Sequence, residues 1–181
     1  MSDSLAIMIL GAPWLALLCY YDARYRRLPN VLTLGGALVA LAARFGYGYA
    51  PFLVEGASGG IVCGLFLLLP FLLGAAGGGD VKMIFAVGCM VGLSRVFDTL
   101  VFMSVCGFFL ALFMLAFGAV DARRLKHYLR CAFDWRYDRA EGKKNLPPSD
   151  SEKSRVPFGI AIAMGMCCAL IFEAFGERGA L

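Results

Sequence analysis

Charged residues divide this sequence into long uncharged stretches, and these stretches limit the folds that are open to it. Five stretches of 16 to 24 residues contain no Asp, Glu, Lys or Arg, and they cover residues 4–21, 28–43, 56–79, 99–120 and 156–172. A helix needs about 20 mostly apolar residues to cross the roughly 30 Å hydrocarbon layer of a bilayer. The pattern therefore predicts an all-α, polytopic integral membrane protein.

The composition excludes the other broad classes. Of the 181 residues, 60% are hydrophobic and only 17% are charged, whereas soluble domains contain about 25% charged residues. Intrinsic disorder requires low hydrophobicity and high charge. Seven cysteines are too few for a secreted disulfide scaffold. A nucleic-acid partner is not expected. The net charge is +4, but nucleic-acid binding requires basic residues grouped on one face of a soluble domain.

A sixth uncharged stretch is shorter and bears on the number of spans. Residues 83–94 give 12 uncharged positions, which extend only about 18 Å as a helix. Including Asp80 and Lys82 at one end and Val96 and Phe97 at the other makes about 18 residues, which is close to a spanning length. We predict this longer helix, and hence six transmembrane helices.

The basic residues orient the six spans. Alternation places 14 of the 17 Lys and Arg residues on one side, namely Arg24, Arg26, Arg27, Lys82 and ten between Arg123 and Arg155. The positive-inside rule assigns that side to the cytoplasm, so both termini are expected on the non-cytoplasmic side. Five spans would place the ten-charge segment outside. We interpret residues 1–181 as a single integral membrane domain with a retained first helix.

The segment 121–155 is the one substantial polar part of the chain. Apolar residues such as Leu125, Tyr128 and Leu129 recur at helical spacing among basic ones. This is typical of a basic amphipathic helix on the cytoplasmic leaflet. A solvated positive loop that obeys the topology rule is the alternative.

Glycines recur at four-residue spacing in two predicted spans. They are Gly56, Gly60 and Gly64 in one and Gly88 and Gly92 in the other. Small residues at this spacing allow helix backbones to approach closely within lipid. We predict a packing role for them and no chemical one.

Two acids on the predicted cytoplasmic side are candidates for chemistry. Asp22 ends the first span and Asp80 opens the fourth, and the two complete spans between them place both at one membrane face. Singly, each has a structural interpretation, as an interfacial residue or a helix cap. Together, two close carboxyls can share a proton, activate a water and protonate a leaving amine. The triple glycine before Asp80 can adopt φ > 0 and leave room for an extended peptide.

Three motifs follow one another on the predicted cytoplasmic side. They are Asp22 with Arg24 and Leu28-Pro29-Asn30, then Gly77-Gly78-Gly79-Asp80-Val81-Lys82, then Arg155-Val156-Pro157-Phe158-Gly159. The second matches a GxGD-x-K pattern. In this order, the motifs resemble the type IV prepilin peptidases, a family of membrane aspartic proteases.

The resemblance implies that Asp22 and Asp80 are the catalytic pair of an aspartic endopeptidase that uses no metal or other cofactor. It implies cleavage of the short basic leader of a prepilin at the cytoplasmic face of the bacterial inner membrane. The chain lacks the cytoplasmic insertion and paired CxxC motifs of larger members, so methyltransferase activity is not expected. It is most similar to the minimal peptidases of tight-adherence (Flp) pilus systems, with archaeal preflagellin peptidases as a related alternative.

Supporting residues are interpreted from their positions. Gly77, Gly78 and Gly79 are expected to shape the site. Asn30, after Pro29, can cap the second helix. Lys82 is expected either to influence the charge of Asp80 or to lie at the lipid headgroups. Pro157 suits a first helical turn, and Gly159 can let the last helix approach the site.

Two other functions use the same residues. A small proton- or cation-coupled transporter would employ Asp22 and Asp80 as ligands, because intramembrane carboxylates often act as relays. An inactive assembly scaffold would depend on neither acid. The sequence has no internal repeat that would favour a transporter, and it defines no oligomeric state.

Overall fold

The computed structural model describes residues 3–25, 28–72, 76–117 and 158–179. Within these ranges the chain forms helices and contains no strand, which confirms the all-α prediction. The helices are α1 (Asp3–Tyr25), α2 (Asn30–Leu72), α3 (Gly78–Val91), α4 (Val96–Ala116) and α5 (Phe158–Gly179), with a 3-10 helix at Leu93–Arg95. The predicted amphipathic segment at 121–155 lies outside the described residues.

Helix α2 consists of two helical parts separated by a break at Gly48 and Tyr49. Tyr49 has a φ of 55°, in the left-handed region, and this ends the first part at the break. Pro51 lies in the first turn of the second part, where its missing N–H interrupts no helical hydrogen bond. The break lies between two of the uncharged stretches, so these fall in separate helical parts.

Among the described residues, three helices are long and apolar enough to cross a membrane: Asn30–Leu72, Leu93–Ala116 and Phe158–Phe175. Their outward faces carry large apolar side chains, among them Val31 at 83% exposure and Phe108 at 64%. Soluble monomers rarely expose apolar surface on this scale, so these faces suit contact with lipid. Six spans, and the side on which the termini lie, stay predictions.

Helix α3 is shorter than the sequence predicts. It includes Asp80 and Lys82, as expected, but it ends after 14 residues. Gly92 follows with a φ of +80°, a left-handed conformation that stops the helix. The predicted extension to Val96 and Phe97 is wrong, because these two residues begin α4.

An arginine from α2 caps the end of α3. Arg44 donates hydrogen bonds from Nε and Nη2 to the carbonyl oxygen of Met90, at 3.3 and 3.1 Å. Its Nη1 lies 3.1 Å from Oε2 of Glu55, and Ser94 donates to Oε1 of Glu55 at 2.7 Å. The last carbonyls of a helix have no partner within the helix, so Arg44 supplies one.

Glycines bring α3 against the second part of α2. A Cβ built on Gly88 would lie 2.5 Å from the carbonyl oxygen of Gly59, and one on Gly56 would lie 2.9 Å from the carbonyl oxygen of Cys89. A Cβ on Gly60 would lie 3.0 Å from a backbone oxygen of α3. The predicted packing role is confirmed for Gly56, Gly60 and Gly88, and Gly59 adds a contact that the four-residue spacing did not indicate. A Cβ on Gly64 would make only an ordinary contact, at 3.5 Å from the ring of Phe85, and Gly92 ends α3.

The core of the bundle surrounds α3. Met83, Ile84, Val87 and Val91 of this helix are fully buried. They form one cluster with side chains of α1, α2, α4 and α5, which include Leu18, Leu67, Met103, Ile162 and Met166. The described chain up to Phe108, together with α5, forms one compact unit. From Phe109 the chain belongs to a second unit, of which the structure describes only the end of α4.

Candidate active site

Asp22 is a buried acid in the last turn of α1. Only 6% of its surface is exposed, and its Oδ2 accepts a hydrogen bond from the backbone N–H of Gly159 at 2.8 Å. Gly159 lies in the first turn of α5, where N–H groups have no partner within the helix and the helix dipole favours negative charge. The first turn of α5 thus holds the carboxyl group of Asp22 in place.

Close packing of α5 on Asp22 requires a glycine at position 159. A Cβ built on Gly159 would lie 2.7 Å from Oδ2 of Asp22 and 3.1 Å from its Cγ. Even an alanine would therefore collide with the carboxyl group. Pro157, the other supporting residue predicted here, lies outside the described residues.

Asp80 is a half-buried acid in the first turn of α3. Its Oδ2 accepts a hydrogen bond from the backbone N–H of Gly77 at 3.1 Å, which is the reciprocal contact of a capping box. It also lies close enough to Asp22 for the two carboxyl groups to interact electrostatically. The structure brings both acids to the end of the bundle where α1 ends and α2, α3 and α5 begin.

The triple glycine contributes space and not an unusual backbone. Gly77 is extended, with φ −84° and ψ 147°, and Gly78 and Gly79 lie within α3. Among the described glycines, positive φ occurs at Gly92 alone, so the conformational freedom expected before Asp80 is not used. A Cβ on Gly77 would instead lie 3.0 Å from Oδ2 of Asp80, and one on Gly79 would lie 3.1 Å from Cβ of Leu28.

Lys82 and Asn30 make a contact that the sequence did not indicate. Nζ of Lys82 donates to Oδ1 of Asn30 at 2.9 Å, whereas we expected Lys82 at Asp80 or at the headgroups, and Asn30 as a cap. Asn30 is the first residue of α2. The carbonyl of Pro29, one residue earlier, accepts the N–H groups of Leu32 and Thr33, each at 3.1 Å. The two residues do share one property in the sequence, since both lie within the first two turns of a helix on the predicted cytoplasmic side.

The arrangement suits acid–base chemistry by a pair of carboxyl groups. Two interacting carboxyls do not ionise independently, so one can hold a proton while the other is anionic. In the part of the chain that the structure describes, no group of three or more His, Cys, Asp or Glu side chains could hold a metal ion. Proton transfer is a chemistry that such a pair of carboxyl groups can perform.

Comparison with known proteins identifies the family. The sequence profile of the type IV leader peptidase family matches residues 9–120, which is more than half of the chain and includes both Asp22 and Asp80. No curated protein and no solved structure matches the chain. The family resemblance indicated by the three motifs is confirmed, and the chain belongs to the type IV leader peptidase family.

Proposed function

We propose that this protein is a membrane-embedded aspartic endopeptidase that removes the short basic leader of Flp-type prepilins, with Asp22 and Asp80 as its catalytic pair. The observation that carries the proposal is the pairing itself. A buried Asp22, held by the N–H of Gly159, interacts electrostatically with an Asp80 that lies 58 positions later in the chain. Family membership supports a peptidase and a prepilin substrate.

The pair performs hydrolysis by moving protons. The anionic carboxyl takes a proton from a water molecule, which attacks the carbonyl carbon of the scissile peptide bond. The protonated carboxyl donates its proton to the carbonyl oxygen as the tetrahedral intermediate forms. A proton then passes from the dyad to the leaving amine and the peptide bond breaks, while a hydroxyl group of the intermediate returns its proton to the dyad as the new carboxyl group forms. Each cycle returns the pair with one proton between two carboxyls.

The site belongs at the cytoplasmic membrane face in this proposal. The support is the charge asymmetry of the sequence, since the predicted six-span topology puts 14 of the 17 basic residues on the side of Asp22 and Asp80. At this face a peptide bond next to the membrane can leave helical structure and enter the site, while the apolar part of the substrate stays in lipid. The proposed location is the bacterial inner membrane.

The proposal is tested by co-expression with Flp-type prepilins and a mobility-shift assay of leader removal. Asp22→Asn and Asp80→Asn should each abolish processing while the protein stays in the membrane, because one amide removes half of the proton-sharing pair. Asp98→Asn is the matched control, since Asp98 is an exposed acid in the first turn of α4. Full processing by either dyad variant would refute the assignment. EDTA should leave the activity unchanged, and inhibition by EDTA would contradict a metal-free dyad.

The peptidase is favoured over the transporter. The family match covers both acids and describes a peptidase, whereas no described feature favours ion transport. Proton-coupled uptake into liposomes that is lost with Asp80→Asn would instead support the transporter, and processing that depends on neither acid would support a scaffold.

A further inference from the structure

The segment Leu28–Asn30, which leads into the first turn of α2 and is called the α1–α2 connection below, contacts α3 on both sides of Asp80. Leu28 packs against Gly79, where a Cβ would lie 3.1 Å from Cβ of Leu28. Two residues later, Oδ1 of Asn30 accepts the hydrogen bond from Nζ of Lys82 at 2.9 Å. The connection thus contacts the residue before Asp80 and the residue two positions after it.

The same connection starts close to the other acid. Helix α1 ends at Tyr25, three residues after Asp22, and Leu28 follows after two further positions. Contacts between this connection and α3 therefore link the start of α3, which carries Asp80, to the chain that follows the end of α1, which carries Asp22. A displacement of about 1 Å can lower an enzymatic rate by about 100-fold, so contacts that prevent it have catalytic consequences.

The direction of Lys82 argues against a direct role in proton transfer. Residues two positions apart on a helix do not face each other, so the side chains of Lys82 and Asp80 leave α3 in different directions. The ammonium group of Lys82 is instead engaged by Oδ1 of Asn30.

We propose that the Lys82–Asn30 hydrogen bond positions Asp80 against Asp22 by fixing the start of α3 to the α1–α2 connection. Lys82 and Asn30 are positioning residues that act as a unit, and each works only through the other. This inference rests on the proposed peptidase function.

The test is a double-mutant cycle measured with a synthetic peptide that spans the leader junction of a Flp-type prepilin. Lys82→Met and Asn30→Leu should each lower kcat about fivefold or more, with KM changed less than about twofold, because the geometry of the dyad changes and substrate contacts do not. The double variant should be no slower than the slower single variant, because residues in one hydrogen bond are not additive. Lys82→Arg keeps a donor and should restore most of kcat.

A second cycle and a stability measurement complete the test. Arg24→Met combined with Asn30→Leu should show effects that multiply, because Arg24 is an exposed basic residue at the end of α1 outside this contact. Wild-type thermal midpoints are expected for all the Lys82 and Asn30 variants. Three results would each overturn the proposal. The first is that the effects of Lys82→Met and Asn30→Leu on kcat multiply in the double variant. The others are an unchanged kcat in both single variants, or a fall in kcat that parallels loss of folded protein. Failure of the proposed peptidase function would give a different result, because the wild-type protein itself would then not cleave the peptide.

Discussion

Replacing Gly159 with alanine tests whether the start of α5 holds Asp22 in its working position. The added Cβ would lie 2.7 Å from Oδ2 of Asp22, whereas ordinary van der Waals contact begins at 3.4 Å, so the two groups must separate by about 0.7 Å. Their hydrogen bond, now 2.8 Å long, would then be about 3.5 Å, beyond the range of effective N–H···O bonds.

The magnitude follows from the lost hydrogen bond. Hydrogen bonds to charged groups contribute about 1.5–3 kcal/mol, and each 1.36 kcal/mol of barrier is a tenfold change in rate. Gly159→Ala should therefore lower kcat/KM for leader cleavage by about 10- to 150-fold. The measurement is the initial rate of cleavage by purified protein in proteoliposomes.

A matched substitution separates this effect from the general effect of alanine in a helix. Gly35→Ala makes the same change in the first part of α2, where nothing lies within 4 Å of the new Cβ. It should retain wild-type activity, because alanine is also the better helix former. Wild-type rates for Gly159→Ala would show that the contact with Asp22 does not support catalysis, and the reasoning would fail.

Three further predictions concern helix packing, the end of α3 and the membrane topology. Gly88→Ala should destabilise the protein by about 1–3 kcal/mol, because its Cβ would lie 2.5 Å from a backbone oxygen of α2. The measurement is the thermal midpoint in detergent, which should fall. Gly64→Ala is the control, since its Cβ would lie at an ordinary 3.5 Å from its nearest neighbour. Arg44→Met should cost about 1–3 kcal/mol by removing the partner of the Met90 carbonyl and one partner of Glu55, and an unchanged midpoint would contradict the capping role. A reporter inserted in the segment 121–155 should give a cytoplasmic signal; a non-cytoplasmic signal would refute the six-span topology.

The two acids could be found from the sequence because charge is rare in this chain. A carboxyl group at the edge of an apolar span is energetically costly, so its presence there indicates a function. The predicted parity of the spans assigns Asp22 and Asp80 to one face without any knowledge of packing. The all-α class follows from the same physical constraint, since a chain in lipid must satisfy its backbone hydrogen bonds within helices.

The contacts that position the acids could not be found in this way. Gly159 donates to Asp22 only because α1 and α5 approach closely, and helix spacing along the sequence does not specify which helices are neighbours. The premature end of α3 has the same origin, since the conformation of Gly92 depends on tertiary packing, with the guanidinium of Arg44 occupying the space where a Cβ would be. Uncharged length alone therefore predicted too long a helix.

The hydrogen bond between Gly159 and Asp22 can form only late in biosynthesis. Its two partners lie 137 positions apart, in the first and last described helices, and a ribosome adds about 5–20 residues per second. Roughly 7 to 27 s therefore pass between synthesis of the acid and synthesis of its donor. During that interval the nascent chain already carries Asp22 without the N–H group that holds it. Complete assembly of the site thus waits for insertion of the last described helix.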